Sequence, residues 1–211
     1  MRLAPRRTPL MSSAQAIFAA LLLLAAAAGA MSPALAEAPR ATPGLASLGK
    51  AAARMKMTAM DGRSITLADL KGRPQVLFFG FTHCPVVCPV TVWEIDAALA
   101  EIGAPAADVR IVFVSLDPAR DTPERTSSYF EGFGGRVVAL TPAQADLRRL
   151  TRAYNITFER VETGDGNYTI DHSTIAFLVN AKGYVVDTLA FGASRKTSAA
   201  KLRKLLRLPP S

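Results

Sequence analysis

"FFGFTHCPVVCPVT", residues 78–91, contains both cysteines of the chain, Cys84 and Cys88, each followed by a proline. It lies where one periodicity gives way to another. Before it runs "QVLFFGF", Gln75 to Phe81, a continuous apolar stretch of the kind that forms a strand buried on both faces. After it, Val92, Ile95, Leu99 and Ile102 recur at helical spacing and share one face. The segment reads as strand, two thiols, helix. Pro85 and Pro89 restrict how that helix begins, because proline inside a helix removes a backbone bond. The simplest solution starts the regular helix at Pro89 and leaves Cys84 to Cys88 as an irregular turn. Cys88 then stands at the positive helix end, which favours its thiolate.

Outward from this segment the same alternation continues. "RIVFVSL", Arg110 to Leu116, is a second buried strand. Thr122 and Pro123 supply an N-cap and a first-position proline for the helix that follows. "RVVAL", Arg136 to Leu140, is a short strand, and Thr141-Pro142 repeats the helix-start signal for a helix ending near Tyr154. Upstream, "MKMTAMDGRSIT", Met55 to Thr66, reads as a hairpin turning at Asp61-Gly62. The last third, "ITFERVE", "TIAFLVN" and "YVVDTLAFG", reads as strands joined by turns at residues 164–167 and at Lys182-Gly183. A basic helix from about Thr197 to Leu206 closes the chain. The expected fold is α/β, a mixed central sheet with helices on both faces and an N-terminal β-hairpin.

Three parts follow from this pass. Residues 1–36 read as an export signal, with Arg2, Arg6 and Arg7, an apolar run from Ile17 to Ala30, and Ala34-Leu35-Ala36 for cleavage; the competing reading is a membrane anchor. Residues 37–50 form a flexible tether, and residues 51–211 a single domain. The leader has three arginines and no acids, so its removal lowers the net charge from +8 to +5. Much of the remaining excess lies in the tail, at Arg195, Lys196, Lys201, Arg203, Lys204 and Arg207. That helix is a solvated face or a surface for anionic lipid headgroups or an acidic partner. No aromatic residues interleave with these charges, which argues against nucleic acid.

Export permits a disulfide, so a structural staple is the plainest reading of the cysteine pair. Such a staple would close a loop of only a few residues and remove little chain entropy. A redox pair is the second reading, although three residues stand between the thiols where a thioredoxin motif has two. A metal site is the third. Two thiolates are an incomplete zinc site, but two thiolates with an imidazole suit copper. Reactive groups in open α/β sheets gather at the carboxyl ends of parallel strands. If the strands ending near Phe81 and Leu116 are parallel neighbours, Cys84 and Asp117 share a rim. If the strand from Thr174 to Val179 runs antiparallel, His172 joins them. His83, beside Cys84, is expected to point away, which makes His172 the better imidazole.

"GFTHCPVVCP", "SLDPARDTPE" and "YTIDHSTIAFLVNAKG" together resemble the SCO/SenC family of copper-binding proteins, from about Met55 to the C-terminal helix. The resemblance implies a thioredoxin-like fold. It implies delivery of copper, as Cu(I) or Cu(II), to the copper-A site of cytochrome c oxidase, or reduction of that site's thiols. The partners implied are the copper-A-bearing oxidase subunit or another copper chaperone. By motif position the ligands are Cys84, Cys88 and His172, with Asp117 and Asp171 as supporting carboxylates. A salt bridge to Arg120 is the alternative role for Asp117. The location implied is the periplasm or the outer face of the inner membrane. Val86 stands where the family commonly has an acidic residue. The rival reading is a thiol–disulfide oxidoreductase using Cys84 and Cys88 alone.

Overall fold

The computed structural model describes Leu45, residues 49–164 and residues 166–209. The leader, 1–36, and nearly all of the tether, 37–50, lie outside the described residues. The elements in chain order are β1 (Met57–Ala59), β2 (Ser64–Ile65), β3 (Gln75–Gly80), α1 (Val87–Ile102), β4 (Arg110–Ser115), α2 (Pro123–Phe130) and β5 (Val137–Pro142). Then follow α3 (Leu147–Ala153), β6 (Phe158–Gly164), β7 (Asn167–His172), β8 (Ile175–Val179), β9 (Val185–Ala190) and α4 (Arg195–Leu205). No helix among the described residues is long and apolar enough to cross a membrane.

Seven strands form one sheet in the order β2-β1-β5-β4-β3-β8-β9, and β6 and β7 form a separate two-stranded ribbon. The expected pairings hold. β3 runs parallel to β4, with Gly80 opposite Ser115, and antiparallel to β8, with Phe78 opposite Ala176. All six residues of β3 are buried, which explains its unbroken apolar sequence. Its side chains alternate between two cores. Leu77 and Phe79 join Val112, Val114 and Phe177 on the face covered by Leu147 and Leu150 of α3. Val76 and Phe78 join Ile111, Phe113 and Leu178 on the face covered by Val92, Ile95 and Leu99 of α1 and Leu202 of α4. Helices on both faces of a mixed sheet, with the β1–β2 hairpin at one edge, make the thioredoxin-like fold expected.

The expected starts of two helices move. α1 begins at Val87, not Pro89, and its first backbone bond runs from the N–H of Val90 to the carbonyl of Val86, 3.1 Å. Pro89 is tolerated because the first four N–H groups of a helix have no intrahelical partner. Thr141-Pro142 starts no helix. Both residues extend β5, paired with Thr58 and Met57 of β1, and α3 begins only at Leu147. Thr122-Pro123 does open α2 as expected, with the Thr122 hydroxyl accepting from the Arg125 N–H at 3.2 Å.

One buried carboxylate ties the end of β3 to the loop after β4. Asp121 is wholly buried. It accepts from the Thr82 N–H at 3.2 Å, the Thr82 hydroxyl at 2.7 Å and the Ser115 hydroxyl at 2.6 Å. Burial raises its pKa, and the Ser115 and Thr82 bonds oppose that rise. Removing the carboxylate orphans three buried donors. Asp121→Ala should therefore cost about 3 kcal/mol in denaturant unfolding, and Asp121→Asn, which keeps one acceptor oxygen, less than half of that. Equal losses in the two variants would show that the hydrogen bonds are not what matters there.

Candidate metal and thiol site

The cysteine turn leaves β3 at Gly80, and its backbone folds so that the Cys84 N–H donates to the Phe81 carbonyl at 3.2 Å. Val86 occupies the N-cap of α1 and has no side-chain oxygen to offer the free N–H groups. Sulfur takes that place: the Cys88 N–H donates to Cys84 Sγ at 3.4 Å. Both thiols are free, with Cys84 9 % exposed and Cys88 1 % exposed. Cys88 enters the core so closely that a Cβ on Gly80 would lie 2.7 Å from its sulfur. Glycine at position 80 is what admits it.

This geometry splits the two thiols. The pKa of Cys84 falls to about 5, first because the Cys88 thiol donates to it and then because the N–H groups of Cys88, Val86 and Val87 point at it; partial burial works the other way. Cys88 is pushed up, because its proton is held by Cys84 and because it is buried. The expectation that Cys88 carries the thiolate is therefore corrected. The positive end of α1 does favour a thiolate, but the sulfur facing it belongs to Cys84.

His172 ends β7 and packs edge-on against Phe81, with ring centroids 6.0 Å apart. Its Nδ1 lies 2.9 Å from the Ser173 carbonyl oxygen. A carbonyl only accepts, so Nδ1 carries the proton and Nε2 of the neutral ring keeps its lone pair. His172 and Cys88 line one small cavity together with Val87, Thr91, Thr174 and Ile175. Among the described residues, no three His, Cys, Asp or Glu side chains are already gathered at metal-ligating distances. The sulfur pair and the imidazole thus share a rim without being drawn into a closed cage.

The other sequence candidates divide. His83 is exposed, and its Nδ1 lies 3.4 Å from the Thr82 hydroxyl. Asp117 is buried, forms an ion pair with Arg120 and accepts from the Tyr168 hydroxyl at 2.8 Å. Asp171 is exposed, stands opposite Glu159 in the β6–β7 ladder, and alternates away from His172. The group bonded to His172 Nδ1 is the Ser173 carbonyl. Asp121 and Tyr168 escaped the sequence reading. The alternation Tyr168, Ile170, His172 was the available signal for Tyr168; a buried hub such as Asp121 leaves none.

The split thiols have a kinetic signature. With Cys84 lowered to about 5, its thiolate is fully present at neutral pH and is lost as pH falls through that value. Alkylation of the reduced protein by iodoacetamide should modify Cys84 first, at a rate that is flat from pH 7 down to 6 and halved near pH 5. A rate still climbing between pH 7 and pH 9 would refute the assignment.

Comparisons with known proteins identify the family. The chain matches the SCO1/SenC family profile over residues 47–207. It is 32% identical over 146 residues to "Protein SCO1 homolog 1, mitochondrial" of Arabidopsis thaliana, covering 64% of this chain and 44% of that protein. It is 29% identical over 154 residues to "Protein SCO1 homolog, mitochondrial" of Homo sapiens, covering 72% of this chain and 51% of that one. The chain thus spans about half the length of these curated relatives. Among solved structures, copper-bound ScoI of Bradyrhizobium japonicum superposes with a TM-score of 0.65 at 33% identity, over 72% of this chain and 96% of that one. Copper-bound ScoI of Arabidopsis thaliana does so with a TM-score of 0.69 at 28% identity, over 74% of this chain and 98% of that one. The fold, the three motifs and the family match converge: the chain belongs to the SCO1/SenC family.

Proposed function

We propose that the chain is a copper metallochaperone, binding copper through Cys84, Cys88 and His172 and serving the copper-A centre of cytochrome c oxidase. The observation that carries this reading is that His172, whose Nδ1 is taken by the Ser173 carbonyl, lines one cavity with Cys88, and that Cys84 Sγ lies within hydrogen-bond reach of Cys88. Two soft sulfurs and an imidazole are a donor set suited to Cu(I), and imidazole also accommodates Cu(II). Copper here is cargo. An open rim lets the thiolates of a client reach the ion and take it by ligand exchange. The client is the copper-A-bearing oxidase subunit or another copper chaperone. The 1–36 leader supports export, to the periplasm or the outer face of the inner membrane. Asp117 supports the site without ligating copper, whereas Asp171, exposed and alternating away from His172, takes no part in it.

A second reading has its own observation. Cys84 stands toward the solvent and Cys88 lies behind it within hydrogen-bond reach, as an attacking and a resolving thiol do. Cys84 sulfur would attack a client disulfide and expel one client thiolate. Cys88 sulfur would then displace the second and close the Cys84–Cys88 disulfide, so that two electrons pass to the client. The two activities are compatible in one protein, since a client must be reduced before it is loaded.

Anaerobic competition against a Cu(I) chelator separates them. The reduced protein should bind one copper per chain. Cys84→Ser and Cys88→Ser should each weaken binding at least a hundredfold, and His172→Ala at least tenfold. His172→Ala should leave disulfide exchange unchanged. Copper affinity indifferent to His172→Ala would sink the three-ligand assignment.

A further inference from the structure

The ribbon that carries His172 shares no ladder with the seven-stranded sheet among the described residues. Beyond Phe158, which packs on the core at its start, β6 is exposed, so most of the ribbon's attachment falls to one face of β7. Tyr168, Ile170 and His172 alternate onto that face. Ile170 is buried in the core cluster that contains Phe81 and Leu116. Tyr168 is held by charge.

Its ring lies between two guanidinium groups, Arg120 at 3.5 Å and Arg160 at 3.7 Å from the ring centre. Its hydroxyl donates to one oxygen of Asp117 at 2.8 Å, and the other oxygen accepts from Arg120 Nε. Arg120 Nη1 returns to the Tyr168 carbonyl at 3.0 Å. The three residues close a ring that joins β7 to the loop after β4. That loop is itself fixed, because the Asp117 N–H donates to the Ser115 hydroxyl at 2.9 Å and Ser115 donates to Asp121.

We infer that Asp117, Arg120 and Tyr168 form a latch that sets where β7 lies and so positions His172 against the two sulfurs. The inference rests on His172 being a copper ligand. None of the three hydrogen-bonds to Cys84, Cys88 or His172, so each acts as a positioning residue. The latch can also open. Asp117 and Arg120 sit three residues apart on one loop, so releasing the ribbon strands neither charge. Arg120 Nη2 is buried without a hydrogen-bond partner, and water would satisfy it once the ribbon lifts. A ribbon held this way can carry His172 onto copper and off it again as a client takes the ion.

Amide hydrogen exchange on the reduced, copper-free full chain tests the latch directly. Tyr168→Phe removes only the hydroxyl, and should speed exchange across 158–172 by about tenfold while β3 and α1 exchange as in the parent. Arg160→Gln, which removes one guanidinium from the ring but spares the Tyr168–Asp117 bond, should speed it less than Tyr168→Phe does. Cu(I) affinity should fall severalfold in Tyr168→Phe with one copper still bound. Unchanged ribbon exchange in Tyr168→Phe overturns the latch, as does equal acceleration in β3 and α1. A looser ribbon with unaltered copper affinity, in a protein that His172→Ala does weaken, overturns the positioning role. Copper affinity indifferent to His172→Ala overturns instead the copper reading beneath it, while the exchange data still report on the ribbon.

Discussion

The double pairing of β3 is the constraint on which the site depends. One neighbour, β4, runs with it and the other, β8, runs against it. The carboxyl ends of β3 and β4 and the amino end of β8 therefore meet at one edge of the sheet. Cys84, Asp117 and His172 come from three distant parts of the chain, and this pairing brings the elements before and after them to that edge. β3 can hold such a position because both its faces are buried, which ties its register to two cores at once. A slip of one residue would exchange the cores and carry every group on the rim to the wrong side.

Within that frame, local electrostatics give the two cysteines different characters. The N-cap of α1 lacks a side-chain acceptor, and the Cys84 sulfur fills the role. The Cys88 thiol, donating to that sulfur, is what chiefly lowers Cys84 to about 5 and keeps the proton on Cys88, and the capping N–H adds to the lowering. Capping and activation converge on one sulfur. Gly80 is its counterpart on the sheet, since a larger residue would close the space the Cys88 sulfur occupies. Val86 is 57 % exposed at the helix start, with Trp93 58 % exposed further along α1. Two large apolar side chains therefore face outward from the helix that begins at the thiols.

Much of this was legible in the sequence, and the exceptions share a cause. β3, β4 and the apolar face of α1 were readable because their periodicity is local. Thr122-Pro123 and Thr141-Pro142 show where locality ends. The two dipeptides are alike, yet the Thr122 hydroxyl caps α2 while the Thr141 hydroxyl donates to the Asp121 carbonyl, 2.9 Å away. β1, far upstream, pairs with the second and keeps it extended. His172 was reachable from topology, but the strand that carries it was not recognised, because the sequence reads as a turn at 164–167 and a strand from Thr174, with 168–172 belonging to neither. The identity of the thiolate was missed because helix polarity says that a thiolate is favoured, and only side-chain direction says which sulfur faces it.

The central claim is that Cys84, Cys88 and His172 bind one copper ion together. X-ray absorption spectroscopy of the reduced, Cu(I)-loaded protein beside its His172→Ala variant addresses it most directly. The account predicts a first coordination sphere of two sulfurs and one imidazole nitrogen, with the imidazole scattering absent from the variant. A sphere of sulfur alone in the parent protein, or identical spectra from the two, would contradict it.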